Sequence, residues 1–222
     1  MNPVRLFSLS CSLLLLAGCA GQQRDDEFSR RPPPTSPSDL VSAEIAFNQL
    51  AQEKGQWTAF RETATPDAVM FVPNMVQAQT WLKGRANPAQ TVKWQSHKVF
   101  MSCDGTLGAT TGAAQWPDGS YGYFTTIWQR QKNGSYKWVA DHGGKLTSPR
   151  PVPEIIETRI ADCRQKPSKA ESARPEMGGG SNDDSLVYAW YGDGKDGVMT
   201  ATILLWNGVS YDTVINDKMA AQ

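Results

Sequence analysis

The apolar positions along the chain follow two periods, and the change between them outlines the fold. Leu40, Ala43, Phe47, Leu50 and Ala51 recur at three-to-four spacing, the stripe of an amphipathic helix. Ser38 reads as its N-cap, with Asp39 in the first turn where the helix dipole favours negative charge. Gly55 ends it, and Trp57, Phe60 and Arg61 predict a second short helix. Ala68-Val69-Met70-Phe71-Val72 is a short apolar strand stopped by Pro73, and Trp81-Leu82-Lys83-Gly84 is a short helix or turn. Strands are then predicted over 92–102, 106–116, 121–131 and 136–146. Asp104-Gly105, Pro117-Asp118-Gly119 and Asn133-Gly134 separate them, each a turn by its backbone requirements. Helices followed by an antiparallel meander make an α+β plan.

Pro149 to Pro153 interrupt this series. Glu154 to Cys163 is expected to be helical, with Ile155, Ile156 and Ile160 apolar, and the polar, glycine-bearing stretch 165–185 to be a flexible loop. A final β unit follows: strands over 186–191 and 198–206, the hairpin signal Asn207-Gly208, and a return strand over 209–215. The expected domains are therefore 39–148, a helix and loop over 149–185, and a hairpin unit over 186–222.

The N-terminus has a different logic. Arg5 precedes an apolar run from Leu6 to Leu16, too short for the ~20 residues that span a bilayer, so 1–18 reads as a cleavable export signal. Leu16-Ala17-Gly18-Cys19 resembles the signal box of bacterial lipoproteins. That resemblance implies cleavage before Cys19 and lipidation of its thiol and amine, with palmitate-type chains as the membrane anchor at ~0.8 kcal/mol per buried methylene. Ala20 in place of an aspartate resembles the class sorted to the outer membrane and facing the periplasm. Residues 19–38, with four prolines from Pro32 to Pro37, have too few apolar groups for a core and read as a tether.

With 22 basic and 22 acidic side chains the chain has no broad basic surface, which argues against a nucleic-acid partner. Cys11 leaves with the signal, so Cys103 and Cys163 remain. In an oxidising compartment they are expected to form a disulfide across about 60 residues, two buried thiols being the alternative. No nucleotide loop, nucleophile elbow or zinc pattern is present, and no cofactor or metal is expected. Asp193-Gly194-Lys195-Asp196-Gly197 lacks the ligand series of a calcium loop and reads as a hairpin turn.

Residues from about 40 to 146 resemble the ketosteroid isomerase-like, or nuclear transport factor two-like, superfamily, and within it the SnoaL-like bacterial members. The resemblance rests on Gly55-Gln56-Trp57, Asp67 to Pro73, Lys83-Gly84-Arg85, Asp104 to Gly112, and the hairpin Tyr123 to Gln131 with Tyr136 to Gly143. It implies a curved antiparallel sheet wrapped around helices, a cone with a pocket at its open end, and dimerisation through the sheet in many members. An aspartate base with tyrosine and acid donors, as isomerising members use, has no residue-by-residue match here.

Asp141 and His142 are the polar candidates for acid/base work. Strand alternation places His142 with Tyr136, Trp138 and Ala140 and Asp141 on the opposite face, so one pocket takes both only with a bulge, which Gly143-Gly144 allows. Each also has a structural reading, Asp141 as a turn cap or ion-pair partner and His142 as a partly exposed strand-end residue. His97, between Ser96 and Lys98, is expected at the surface. Trp57, Trp81, Trp94, Trp116, Tyr123, Trp128 and Trp138 either fill the core or line a pocket; Trp57, Tyr123, Trp138 and His142 are the expected pocket residues. The first functional expectation is an envelope lipoprotein whose pocketed domain binds a small apolar ligand or a partner without turnover. A SnoaL-like or isomerase-like enzyme using Asp141 or His142 is the second, and an envelope interaction module with an exposed apolar sheet face the third.

Overall fold

Ser36 and Asp39 form a capping box around Pro37, so helix α1 (Pro37–Lys54) begins two residues before the expected start. Proline suits that first position, because its φ is preset and it has no N–H to leave unpaired. The computed structural model describes residues 36–168, 175–192 and 198–219. The chain divides into two units, 1–33 and 34–222, and every described residue lies in the second. Cys19, the signal, the tether up to residue 35 and the 193–197 turn lie outside the described residues.

Gly55 breaks the helix at φ 96°, where a Cβ would also meet the Asn87 side chain. Then follow α2 (Gln56–Thr63), β1 (Ala64–Phe71), β2 (Met75–Gln77) and α3 (Ala78–Leu82). The meander is β3 (Lys93–Met101), β4 (Leu107–Gln115), β5 (Tyr121–Arg130) and β6 (Tyr136–Leu146). The chain continues with β7 (Glu157–Ile160), β8 (Gly178–Gly180), β9 (Leu186–Gly192), β10 (Met199–Trp206) and β11 (Tyr211–Met219). A seven-stranded sheet has the order β2-β1-β6-β5-β4-β3-β7 and a four-stranded sheet the order β11-β10-β9-β8. The mixed α+β plan expected from the sequence holds.

The large sheet is covered on both faces. On one, Leu40, Phe47 and Ala51 of α1, Ala59 of α2 and Leu82 of α3 pack on Val99, Met101, Trp128 and Trp138. On the other, Phe100, Leu107, Ala109, Ile127 and Ala140 pack against Leu186, Trp190, Ile203, Leu205 and Ile215 of the small sheet. The large sheet's second face is thus packed against the small sheet, whereas an exposed apolar face there would have favoured the interaction-module reading. The Cys103–Cys163 disulfide joins the ends of β3 and β7, neighbours in the large sheet, with Cα atoms 5.3 Å apart. Beside it, Asp104 and Asp183 each accept from the other's backbone N–H at 3.0 Å.

Three expectations are corrected by the structure. Residues 154–163 are not helical: β7 pairs parallel with β3, Lys98 to Met101 against Glu157 to Ile160. Ile155 and Ile160 lie exposed rather than on a buried stripe, and the unpaired edge of β3 gives the backbone a ladder to join. The C-terminal hairpin is part of a four-stranded sheet, because β8 adds to β9 from within the expected loop. His97 is also not at the surface: a register shift between Ser96 and Lys98 turns Ser96 and His97 both inward.

Candidate functional site

A cavity of about 430 Å³ opens between the helices and the large sheet. Its walls are aromatic: Phe47 from α1, Trp57 and Phe60 from α2, Trp81 from α3, Trp94 from β3 and Phe124 from β5. The rings meet mostly edge to face, Trp57 on Trp81 at 5.2 Å and Phe47 on Trp94 at 5.0 Å, which leaves their outer surfaces for a guest. Trp116, Tyr123 and His142 also line it, whereas Trp128 and Trp138 do not. Trp138 is fully buried, donates to Thr63 Oγ1 at 3.0 Å and belongs to the core beneath the helices.

Both polar candidates reach this one cavity, for a reason alternation alone does not supply. Trp128 pairs with Trp138 but Ile127 with Ala140, so Val139 is an extra residue in β6. This bulge lies upstream of Gly143-Gly144 and turns Asp141 to the helix side of the sheet and His142 to the small-sheet side. The β1–β6 pairing ends at Met70 and Asp141. Beyond that point β6 is an edge, and the cavity wraps around it to touch Asp141, His142 and Gly143. The absence of a side chain matters at Gly144, where a Cβ would stand 2.8 Å from the Tyr123 ring.

Asp141 keeps some accessible surface, which opens on the cavity, and is otherwise enclosed. Burial pushes its carboxyl up to about 8, aided by the nearby charge of Glu44 and opposed by the Thr126 hydroxyl, which donates to Oδ2 at 2.7 Å. At neutral pH it is largely a protonated, hydrogen-bond-donating acid. Glu44 stands behind it on α1. Trp94 Nε1 donates to Oε1 at 2.7 Å and Trp128 Nε1 to Oε2 at 3.1 Å, and the Thr110 hydroxyl donates to Oε2. Burial pushes Glu44 up to about 7 against those three bonds.

On the other side of the sheet, His142 Nε2 lies 3.1 Å from Asp217 Oδ2. Thr125 donates to the same oxygen at 2.7 Å, and Arg150 reaches Oδ1 at 3.3 Å. Burial opposes the charge on Asp217, but the His142 hydrogen bond, His142's charge, Thr125 and Arg150 together hold it below the usual carboxylate range. Arg150 also lies 4.8 Å over the Tyr123 ring.

Glu44 and Asp217 were missed by sequence reasoning, yet each left a trace. Glu44 falls between Leu40 and Phe47 on the buried stripe of α1, and Asp217 between Ile215 and Met219 on the inward side of β11. A charge on an apolar face signals a buried network. Among the described residues no group of three or more His, Cys, Asp or Glu side chains could hold a metal ion, and no helix is long and apolar enough to cross a membrane.

No protein-family model and no curated protein matches the chain. Several solved structures similar to it are described as ketosteroid isomerase-like or NTF2-like, and another as a putative aromatic ring hydroxylase from Novosphingobium aromaticivorans. A putative ketosteroid isomerase from Parabacteroides distasonis is 16% identical over 51% of this chain and 89% of its own, with a TM-score of 0.41. A ketosteroid isomerase-like protein from Erwinia carotovora atroseptica is 13% identical over 50% and 96%, with a TM-score of 0.40. An NTF2-like superfamily protein from Salmonella enterica is 9% identical over 50% and 92%, with a TM-score of 0.39. Likeness at this level carries no argument about function, which rests on the cavity itself.

Proposed function

We propose that the domain binds a small, largely apolar molecule in the aromatic cavity, with Asp141 as the polar contact. The observation that carries this is a 430 Å³ space walled by Phe47, Trp57, Phe60, Trp81, Trp94 and Phe124 around one mostly uncharged carboxyl. That volume lies within the ordinary range of small-molecule sites, and such a wall rewards desolvated rings over charged or sugar-like guests. The test is native mass spectrometry of the protein purified from its own cells, beside an Ala114→Trp variant that fills the cavity from β4. The expected result is a bound organic mass in the wild type that is lost in the variant. An equal mass in both places the ligand elsewhere.

A second reading has Asp141 as an acid/base in turnover, favoured by its raised proton affinity inside a substrate-sized space. Consumption of the bound molecule by the wild type but not by Asp141→Asn separates it from simple binding. For location, we propose the outer membrane facing the periplasm, with lipid attached at Cys19, on the strength of the Leu16 to Cys19 box. Metabolic labelling with palmitate tests this: label on the wild type and none on Cys19→Ser is expected, and label on both refutes it.

A further inference from the structure

We infer that β8 to β11 are a second, shorter copy of the arm β3 to β6, folded onto it about a two-fold axis as a built-in partner subunit, so that the large sheet's second face is filled from within and the chain works as a monomer.

The two arms have one plan. Each is a four-stranded meander, in the orders β6-β5-β4-β3 and β11-β10-β9-β8. Their first turns read Ser102-Cys103-Asp104-Gly105-Thr106-Leu107 and Ser181-Asn182-Asp183-Asp184-Ser185-Leu186. Asp104 Oδ1 accepts from Ser102 Oγ and from Thr106 N and Oγ1, and Asp183 Oδ1 accepts from Ser181 Oγ and from Ser185 N and Oγ. Gly105 and Asp184 occupy the same place in the turn and are both left-handed, at φ 64° and 60°. The last turns, Asn133-Gly134-Ser135 and Asn207-Gly208-Val209-Ser210, each lead into a tyrosine. Tyr136 donates its hydroxyl to the Gly105 carbonyl at 2.7 Å, and Tyr211 donates to the Asp184 carbonyl at 2.5 Å. The bulge recurs as well: Val139 is the extra residue in β6 and Val214 the extra residue in β11.

The junction between the arms is reciprocal, as an isologous contact between two copies must be. Besides the Asp104–Asp183 exchange, Cys103 N donates to Ser185 Oγ at 2.8 Å and Asn182 N donates to Thr106 Oγ1 at 3.0 Å. The shared core repeats the correspondence. Leu107, Ala109, Ile127 and Ala140 pack in one cluster with Leu186, Tyr188, Ile203 and Ile215, their counterparts by turn and register. His142 and Asp217, each three residues past its bulged valine, are counterparts that meet at 3.1 Å. A face of this kind fits a meander like itself. The covalent link holds that meander at an effective concentration on the order of millimolar, which shuts out a second chain. The added arm also reaches the aromatic cavity, through Met219 of β11.

Sedimentation velocity on the full chain tests this, with two variants of β10. Ile203 is buried in the shared core, whereas Leu204 is half-buried on the opposite side of the strand. The wild type should run at one chain's mass from dilute to concentrated solution. Ile203→Arg sets an unpaired charge between the arms and should part them. The freed face then takes a second copy, and the mass doubles as concentration rises. Leu204→Arg should stay at one chain's mass. If Ile203→Arg loses its near-ultraviolet circular dichroism, the double variant Asp104→Ala, Asp183→Ala takes its place, because it cuts both reciprocal bonds without a charge in the core, and its mass should double likewise. A wild-type dimer would overturn the inference. So would a folded core or junction variant that stays single or grows beyond two copies, or a dimer of Leu204→Arg.

Discussion

Replacing Asp141 with asparagine should flatten the dependence of stability on pH. Asp141 has its folded proton affinity raised from 3.8 to about 8, so between those values the native chain holds a proton that the unfolded chain has released. Its stabilisation is complete below pH 3.8 and is lost as pH rises through 8. Four decades of proton affinity correspond to roughly 5 kcal/mol, an upper bound because the carboxyl opens on a cavity that can take up water. Glu44 works in the same direction over the narrower window from 4.5 to about 7, contributing roughly 3 kcal/mol. His97, held below its usual value by burial and by Arg150, works the opposite way, its stability lost as pH falls through that lowered value. Asp217 acts only below the ordinary aspartate range. Asparagine keeps the oxygen that accepts from Thr126, so the difference between wild-type and Asp141→Asn curves isolates the proton. Urea unfolding from pH 4 to 8 should show wild-type stability falling with pH and the variant losing less than half as much. Parallel curves would refute the argument that Asp141 is buried as a neutral acid.

Other outcomes follow from the same geometry. The Cys103→Ser and Cys163→Ser double variant should lose about 4 kcal/mol, the chain-entropy value for a closed loop of this length, and the urea midpoint of the wild type in reductant should fall to match it. Phe47→Ala, which removes a fully buried ring from the floor of the aromatic box, should cost about 3–5 kcal/mol in urea unfolding. Gly144→Val should drive a side chain into the Tyr123 ring and lower the melting temperature by several degrees, whereas Gly119→Val, strained but meeting nothing, should lower it less.

The helices and the meander were legible because their apolar periods and turn residues agree. All four meander strands lie within two residues of the predicted bounds. The stretch 154–163 was misread because three isoleucines imitate half a helical stripe, while its fate was decided by the open edge of β3, a partner 59 residues away. The site was legible in its residue types but not in its arrangement. Asp141 and His142 stand out in the sequence, yet the bulge at Val139 and the early end of β1–β6 pairing are backbone events without a sequence signature of their own. Asp217 was hidden differently: the return strand runs to Met219, so a predicted end at Ile215 removed it from consideration.

The central claim is that the aromatic cavity receives a small apolar guest, and the most direct measurement is nitrogen-15 NMR of the eight tryptophan indoles during titration with 2-methoxynaphthalene. The account predicts saturable shifts at Trp57, Trp81 and Trp94, with Trp138 and Trp206, which lie outside the cavity wall, unmoved. Shifts confined to Trp190 and Trp206, or no saturable shift at any indole, would contradict it.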